Sequence, residues 1–254
     1  MEQSIDLQPK KKHKKDMFKI AGIFLISYGA VQFIMLYYDE IFQYILSKDI
    51  NTLSNIYSKS LDSIALFIVL PTIFCLMSII AAIFILKKKY VAIAITFGVM
   101  CIYPFVYISM FASGLFSDFF GNSEVKRSPG MVISSIFLIL TNVTLLIALV
   151  FAIICIVRVN KNKSVKKVWA MPGAISVINL VLTILHIFSN AFFLVFFIIM
   201  ITEVSQSDNI VEMVRGIVVV ISYILSFAVK ILPSVLLTIF FFLFGRALRK
   251  DVCG

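Results

Sequence analysis

Four side chains could do chemistry inside an otherwise apolar chain: Lys230, His186, Asn142 and Asn190. Lys230 stands 15 residues after Arg215 and 16 before Arg246, with no other charge between them. A straight helix rising about 1.5 Å per residue would carry it close to the midplane of a membrane span. An ionisable group at that depth costs about 2.5–3.5 kcal/mol even on a lenient insertion scale, so it should face the bundle interior, a wet cavity or a polar partner. His186 falls near the middle of the fifth apolar run and Asn142 near the middle of the fourth, so all three could share one depth. His186 and Asn190, four residues apart, lie on one helix face. The chemistry this set offers is recognition. Lys230 would attract an anionic or carbonyl group, and His186 and Asn142 would supply hydrogen bonds. Pro233 removes one backbone hydrogen bond near Val229 and frees a carbonyl to join them. A second registry stays open: the last apolar run is longer than the hydrocarbon requires, and if it ends at Gly245 then Lys230 lies only about 6 Å below the outer surface and snorkels. His186 and Asn142 would then be interhelical hydrogen-bond partners worth about 0.6 kcal/mol each.

Other chemistries lack their residues. No Asp or Glu falls in the central part of any apolar run, whereas proton-coupled carriers and aspartyl intramembrane proteases need such carboxylates. There is no HExxH zinc motif, and His186 is the sole intramembrane histidine, so paired haem ligation has no support. Cys75, Cys101 and Cys155 lie within apolar runs and Cys253 in the tail, with no CxxC spacing to suggest a metal or a disulfide framework. Neither a cofactor nor catalysis is expected.

The elements that must hold these side chains follow from composition. Of 254 residues, 61% are hydrophobic and 14% charged, against the quarter that is usual in soluble domains. Runs long enough to cross about 30 Å of hydrocarbon occur at approximately Met17–Tyr38, Leu61–Leu86, Tyr90–Leu115, Met131–Val157, Trp169–Ile201 and Ile217–Gly245. The expected fold is therefore all-α: a polytopic bundle of six transmembrane helices over 17–245, between a basic tail (1–16) and a short terminal tail (246–254).

The net charge of +10 is unevenly spread. Of the 23 Lys and Arg, 17 lie in the two tails, at Lys19 just beyond the first, and in the loops at 87–89 and 158–167, and only Lys48, Lys59, Lys126, Arg127 and Arg215 lie in the other three loops. This positive-inside pattern puts both termini in the cytoplasm. The tail PKKKHKKDM thus reads as a topology determinant that also favours anionic lipid, with no nucleic acid implied. The apolar run after it is too long for a secretory signal and lacks a small-residue cleavage site, so the first helix is expected to stay.

The connections at 87–89 and 158–167 are too short to hold a soluble catalytic domain. In the first outer loop Phe42, Leu46, Ile50, Leu53 and Tyr57 recur every three or four residues, the mark of an amphipathic helix that either continues the first span or forms a lid or partner surface. Each even-numbered run carries a related tripeptide: Leu70–Thr72 (LPT), Leu140–Asn142 (LTN) and Leu232–Ser234 (LPS). Some 14 to 18 residues after each comes a basic residue of the inner side, as three repeated hairpins would give. Pro71 and Pro104 fall within runs and predict kinks.

Six helices, both ends inside and three outer loops around an outward pocket resemble, in layout alone, the membrane-embedded substrate-binding subunits of vitamin-uptake systems. The expected function is a transport-related or small-ligand-binding membrane component with a polar pocket between helices four, five and six. The alternative is a non-catalytic accessory, immunity or interaction subunit with a membrane protein partner. The abundance of Phe, Ile and Lys fits a bacterial plasma membrane.

Overall fold

The computed structural model describes residues 10–47, 69–120, 129–161, 163–165, 168–204 and 230–249. Among these residues the regular elements are all helical: α1 (Lys10–Ser47), α2 (Leu70–Leu86), α3 (Tyr90–Met100), α4 (Ile102–Phe120), α5 (Pro129–Asn160), α6 (Met171–Val204) and α7 (Lys230–Arg249). Five stretches are long and apolar enough to cross a membrane: α1, α3 with α4, α5, α6 and α7. The described part of α2 is apolar but only 17 residues long. Residues 61–68 and 217–229 of the predicted second and sixth spans lie outside the described residues.

One boundary differs from the sequence reading, and the kink predicted at Pro104 takes the form of a break. α1 starts at Lys10 and runs unbroken to Ser47, so part of the basic tail is helical, and Phe42 and Leu46 belong to α1 itself. Ile50, Leu53 and Tyr57 lie outside the described residues. No proline occurs between Lys10 and Ser47, and ending the helix at the edge of the apolar run would orphan backbone groups for no gain. The third run, by contrast, is broken at Cys101. Pro104 has no N–H to offer the Met100 carbonyl, and the Cys101 N–H is shared between the carbonyls of Phe97 (3.1 Å) and Gly98 (3.2 Å).

The three-lysine turn between α2 and α3 closes as a Schellman motif. The Lys89 N–H donates to the Phe84 carbonyl (3.0 Å) and the Lys88 N–H to that of Ile85 (3.0 Å). Lys88 takes the left-handed conformation there (φ 53°), where glycine is usual. Its Nζ sits 4.8 Å from the centroid of Phe18, which ties the turn to α1.

The outer face of the bundle is apolar, and a few polar side chains are buried within its hydrophobic core. Ile95 and Phe188 are 63% and 67% exposed, while Ser78, Ser176, Asn179 and Thr238 are buried. Lipid is as apolar as leucine, so close backbone approach and hydrogen bonds must drive helix association. The seams reflect this. α1 and α2 run antiparallel at small residues: a Cβ on Gly29 would come within 3.0 Å of the Cys75 carbonyl oxygen, and one on Gly22 within 3.0 Å of Leu86. α6 and α7 are also antiparallel, with Gly173 against Phe242 and the Thr238 hydroxyl donating to the Ser176 carbonyl (3.0 Å).

At the basic end of the bundle the core is closed by aromatic rings. Phe97 of α3 packs edge-on against Phe240 and Phe244 of α7 at 6.2 and 6.1 Å, and Phe244 meets Phe18 of α1 at 6.4 Å. The alanines at 81, 82, 148 and 152 are all fully buried and let the helices approach these rings. Arg249 lies over the Trp169 ring (5.2 Å), fixing the end of α7 to the turn before α6.

Candidate ligand-binding cavity

Beyond the aromatic plug, away from the basic end, the helices part around a cavity of about 280 Å³. Six elements line it: α1, α2, α4, α5, α6 and α7. No described side chain in the lining carries a formal charge.

α1 contributes Tyr28 and Gln32, one turn apart and close enough to hydrogen-bond. From α4 come Tyr103 and Tyr107, again one turn apart, with rings 4.7 Å apart and hydroxyls in hydrogen-bonding reach. Phe74 of α2 extends this aromatic wall, 4.7 Å from Tyr103 and edge-on to Tyr28 at 6.1 Å. The break at Cys101 bears on this wall: Tyr103 lies just beyond it, so α4 aims its tyrosines independently of α3, whose Ile93, Phe97 and Met100 are held in the core.

α5 and α6 supply the carboxamides. Asn142 is buried, and its Nδ2 donates to the Leu138 carbonyl at 2.8 Å, one turn back on its own helix. Asn179 crosses the seam: its Nδ2 donates to the Thr141 carbonyl (2.7 Å) and to Thr144 Oγ1 (2.9 Å). The partner of Asn142 and one of the two partners of Asn179 are carbonyl oxygens, which fixes both orientations; a flipped carboxamide would oppose oxygen to oxygen. Ser234 of α7 completes the ring, its hydroxyl 3.1 Å from that of Thr183 on α6.

Of the three sequence candidates whose side chains are described, the structure brings one into this cavity. Asn142 lines it; Lys230 and His186 do not belong to its described lining. They stand together elsewhere. The α6–α7 seam pairs Ser176 with Thr238 and then Thr183 with Ser234, and the next turn outward brings His186 into electrostatic range of Lys230. His186 is half-buried and Lys230 exposed. Asn190 lies on α6, and its side chain is outside the described residues.

Sequence reasoning passed over Tyr28, Gln32, Tyr103, Tyr107 and Asn179. Two signals were present. Tyr28 with Gln32 and Tyr103 with Tyr107 are polar pairs at i, i+4 inside apolar runs, and Asn179 is a mid-run carboxamide like Asn142. The three related tripeptides also meet at this cavity. Pro71, Thr141 with Asn142, and Ser234, drawn from all three tripeptides, line the same cavity.

No protein-family model matches the chain, and no curated protein or solved structure matches it.

Proposed function

We propose that the chain is a small-ligand-binding membrane component, transport-related, with six spans and both termini on the cytoplasmic side. The observation that carries this reading is the cavity of about 280 Å³ among six helical elements, lined by uncharged hydrogen-bonding side chains interspersed with apolar ones. Apolar side chains are the inexpensive choice for a bundle in lipid, and carboxamides and phenols gathered around an open volume suit a polar guest. The break in α3–α4 beside the cavity and the use of one tripeptide from each hairpin are further support, because transporter sites form at repeat interfaces beside discontinuous helices.

The excess of Lys and Arg at one end of the bundle supports the cytoplasmic assignment of that end. On this orientation the cavity lies in the outer half, with the Phe97–Phe240–Phe244 cluster between it and the cytoplasm. Lys230, 16 residues before Arg246, stands about 24 Å above the basic interface, within reach of the outer headgroups. Its role in this reading is interfacial.

The test is mass spectrometry of small molecules that accompany the full chain from mild detergent, for wild type and for Ser234→Leu, which fills the cavity from α7. A compound present with wild type and absent from a well-folded Ser234→Leu supports the reading. The same compounds with both proteins, or none with either while a protein partner is retained, would favour an accessory subunit.

A further inference from the structure

The chemistry of the cavity wall narrows what it takes. The inference rests on the ligand-binding reading above and specifies its guest: we infer that the cavity selects an uncharged, flat, ring-containing molecule of about ten heavy atoms that donates hydrogen bonds through N–H or O–H groups.

Size sets the first limit. A dry cavity of about 150 Å³ accepts benzene, so about 280 Å³ corresponds by proportion to roughly eleven heavy atoms. Charge sets the second. Lys, Arg, His, Asp and Glu are all absent from the described lining, and an ion without a counter-charge at this depth would be strongly disfavoured.

Polarity of the hydrogen bonds sets the third. Asn179 directs both amide N–H groups into the protein, to the Thr141 carbonyl and to Thr144 Oγ1, and Asn142 directs one of its two to the Leu138 carbonyl. Asn179 keeps only its Oδ1 for a guest, Asn142 keeps its Oδ1 and one N–H, and among the described residues neither oxygen receives a hydrogen bond. Across this pair of carboxamides the open acceptors outnumber the one open N–H, so a guest that brings protons of its own is the better match. The aromatic wall sets the fourth. Phe74, Tyr103 and Tyr107 form a run of rings at 4.7 Å spacing beside these acceptors, a surface that suits a planar guest better than a branched one.

Indole and benzofuran test this directly, since they match in shape and differ in whether the ring heteroatom carries a proton. Binding to the full chain in detergent is measured by equilibrium dialysis, with Ser234→Leu giving the baseline for partition into micelles. Tryptamine and indole-2-carboxylate supply the cationic and anionic counterparts. The expected result is indole binding above the baseline, with benzofuran, tryptamine and indole-2-carboxylate each at least about fivefold weaker, the ratio a net hydrogen bond confers. Asn142→Leu should bring indole down to the level of benzofuran. The wild-type comparison stands by itself if that variant fails to fold. Equal binding of indole and benzofuran, or tighter binding of either charged probe, with sensitivity to Ser234→Leu, overturns the guest class and leaves a ligand cavity standing. Binding of every probe at the Ser234→Leu baseline overturns the cavity as a small-molecule site, and the guest class with it.

Discussion

Replacing Gly245 with alanine tests how α7 is seated. The added Cβ would lie 3.3 Å from the carbonyl carbon of Trp169 and well inside the contact distance of its oxygen. The obstacle is backbone, in the turn that leads into α6, so it cannot rotate away as a side chain could. Alanine gains up to about 1 kcal/mol of helix propensity over glycine. Against this stand about 1–3 kcal/mol for overpacking and about 0.5–1 kcal/mol if Arg249 is pulled from the Trp169 ring, 5.2 Å away. The net expectation is a loss of roughly 0.5–3 kcal/mol from those terms. Gly98→Ala provides the opposite control: no heavy atom lies within 4 Å of the Cβ it adds, so a gain of about 0.5–1 kcal/mol is expected. Unfolding by increasing SDS in a mild detergent, followed through the fluorescence of Trp169, the chain's one tryptophan, reads both effects. The reasoning is refuted if Gly245→Ala equals or exceeds wild type in stability with its Trp169 emission unchanged.

Thr183 and Ser234, with hydroxyls 3.1 Å apart, should show a coupling of about 0.6 kcal/mol in a Thr183→Val, Ser234→Ala double-mutant cycle, measured by the same unfolding; strict additivity would mean the contact contributes nothing. Lys230→Leu should leave co-purifying small molecules and probe binding unchanged, because Lys230 is not in the described cavity lining; loss of the guest would return the lysine to the binding site. At Lys88, φ 53° should make Lys88→Val lose about 1–2 kcal/mol, while Lys88→Asn, which tolerates the left-handed region, stays closer to wild type; equal stabilities would argue against the turn. In a cysteine-free background, cysteine at position 88 should react with an impermeant maleimide only from the cytoplasmic side, and cysteine at Asn122 only from outside; the reverse pattern would overturn the topology.

Sequence by itself determined the all-helical character of this chain and its helices long and apolar enough to cross a membrane, because long apolar runs are a property of composition and length. It also placed the three-residue turn at 87–89 and the disruption at Pro104, since a missing N–H acts on its own helix whatever surrounds it. It marked Asn142, a carboxamide in an apolar run, as a residue needing a reason. Which polar groups meet was decided only by the tertiary structure. Lys230 drew attention as the lone charge of its run, yet its helix places it in electrostatic range of His186, while Ser234, one turn along the same helix, lines the cavity. Tyr28, Tyr103 and Asn179 come from three helices far apart in the chain, and their convergence depends on how closely Gly29 lets α1 approach α2 and on how the break at Cys101 aims α4. Periodicity along one helix specifies which residues share its face. The rotation and depth at which that face meets its neighbours are set by packing and by the hydrogen bonds between helices, and those exist only once the bundle has formed.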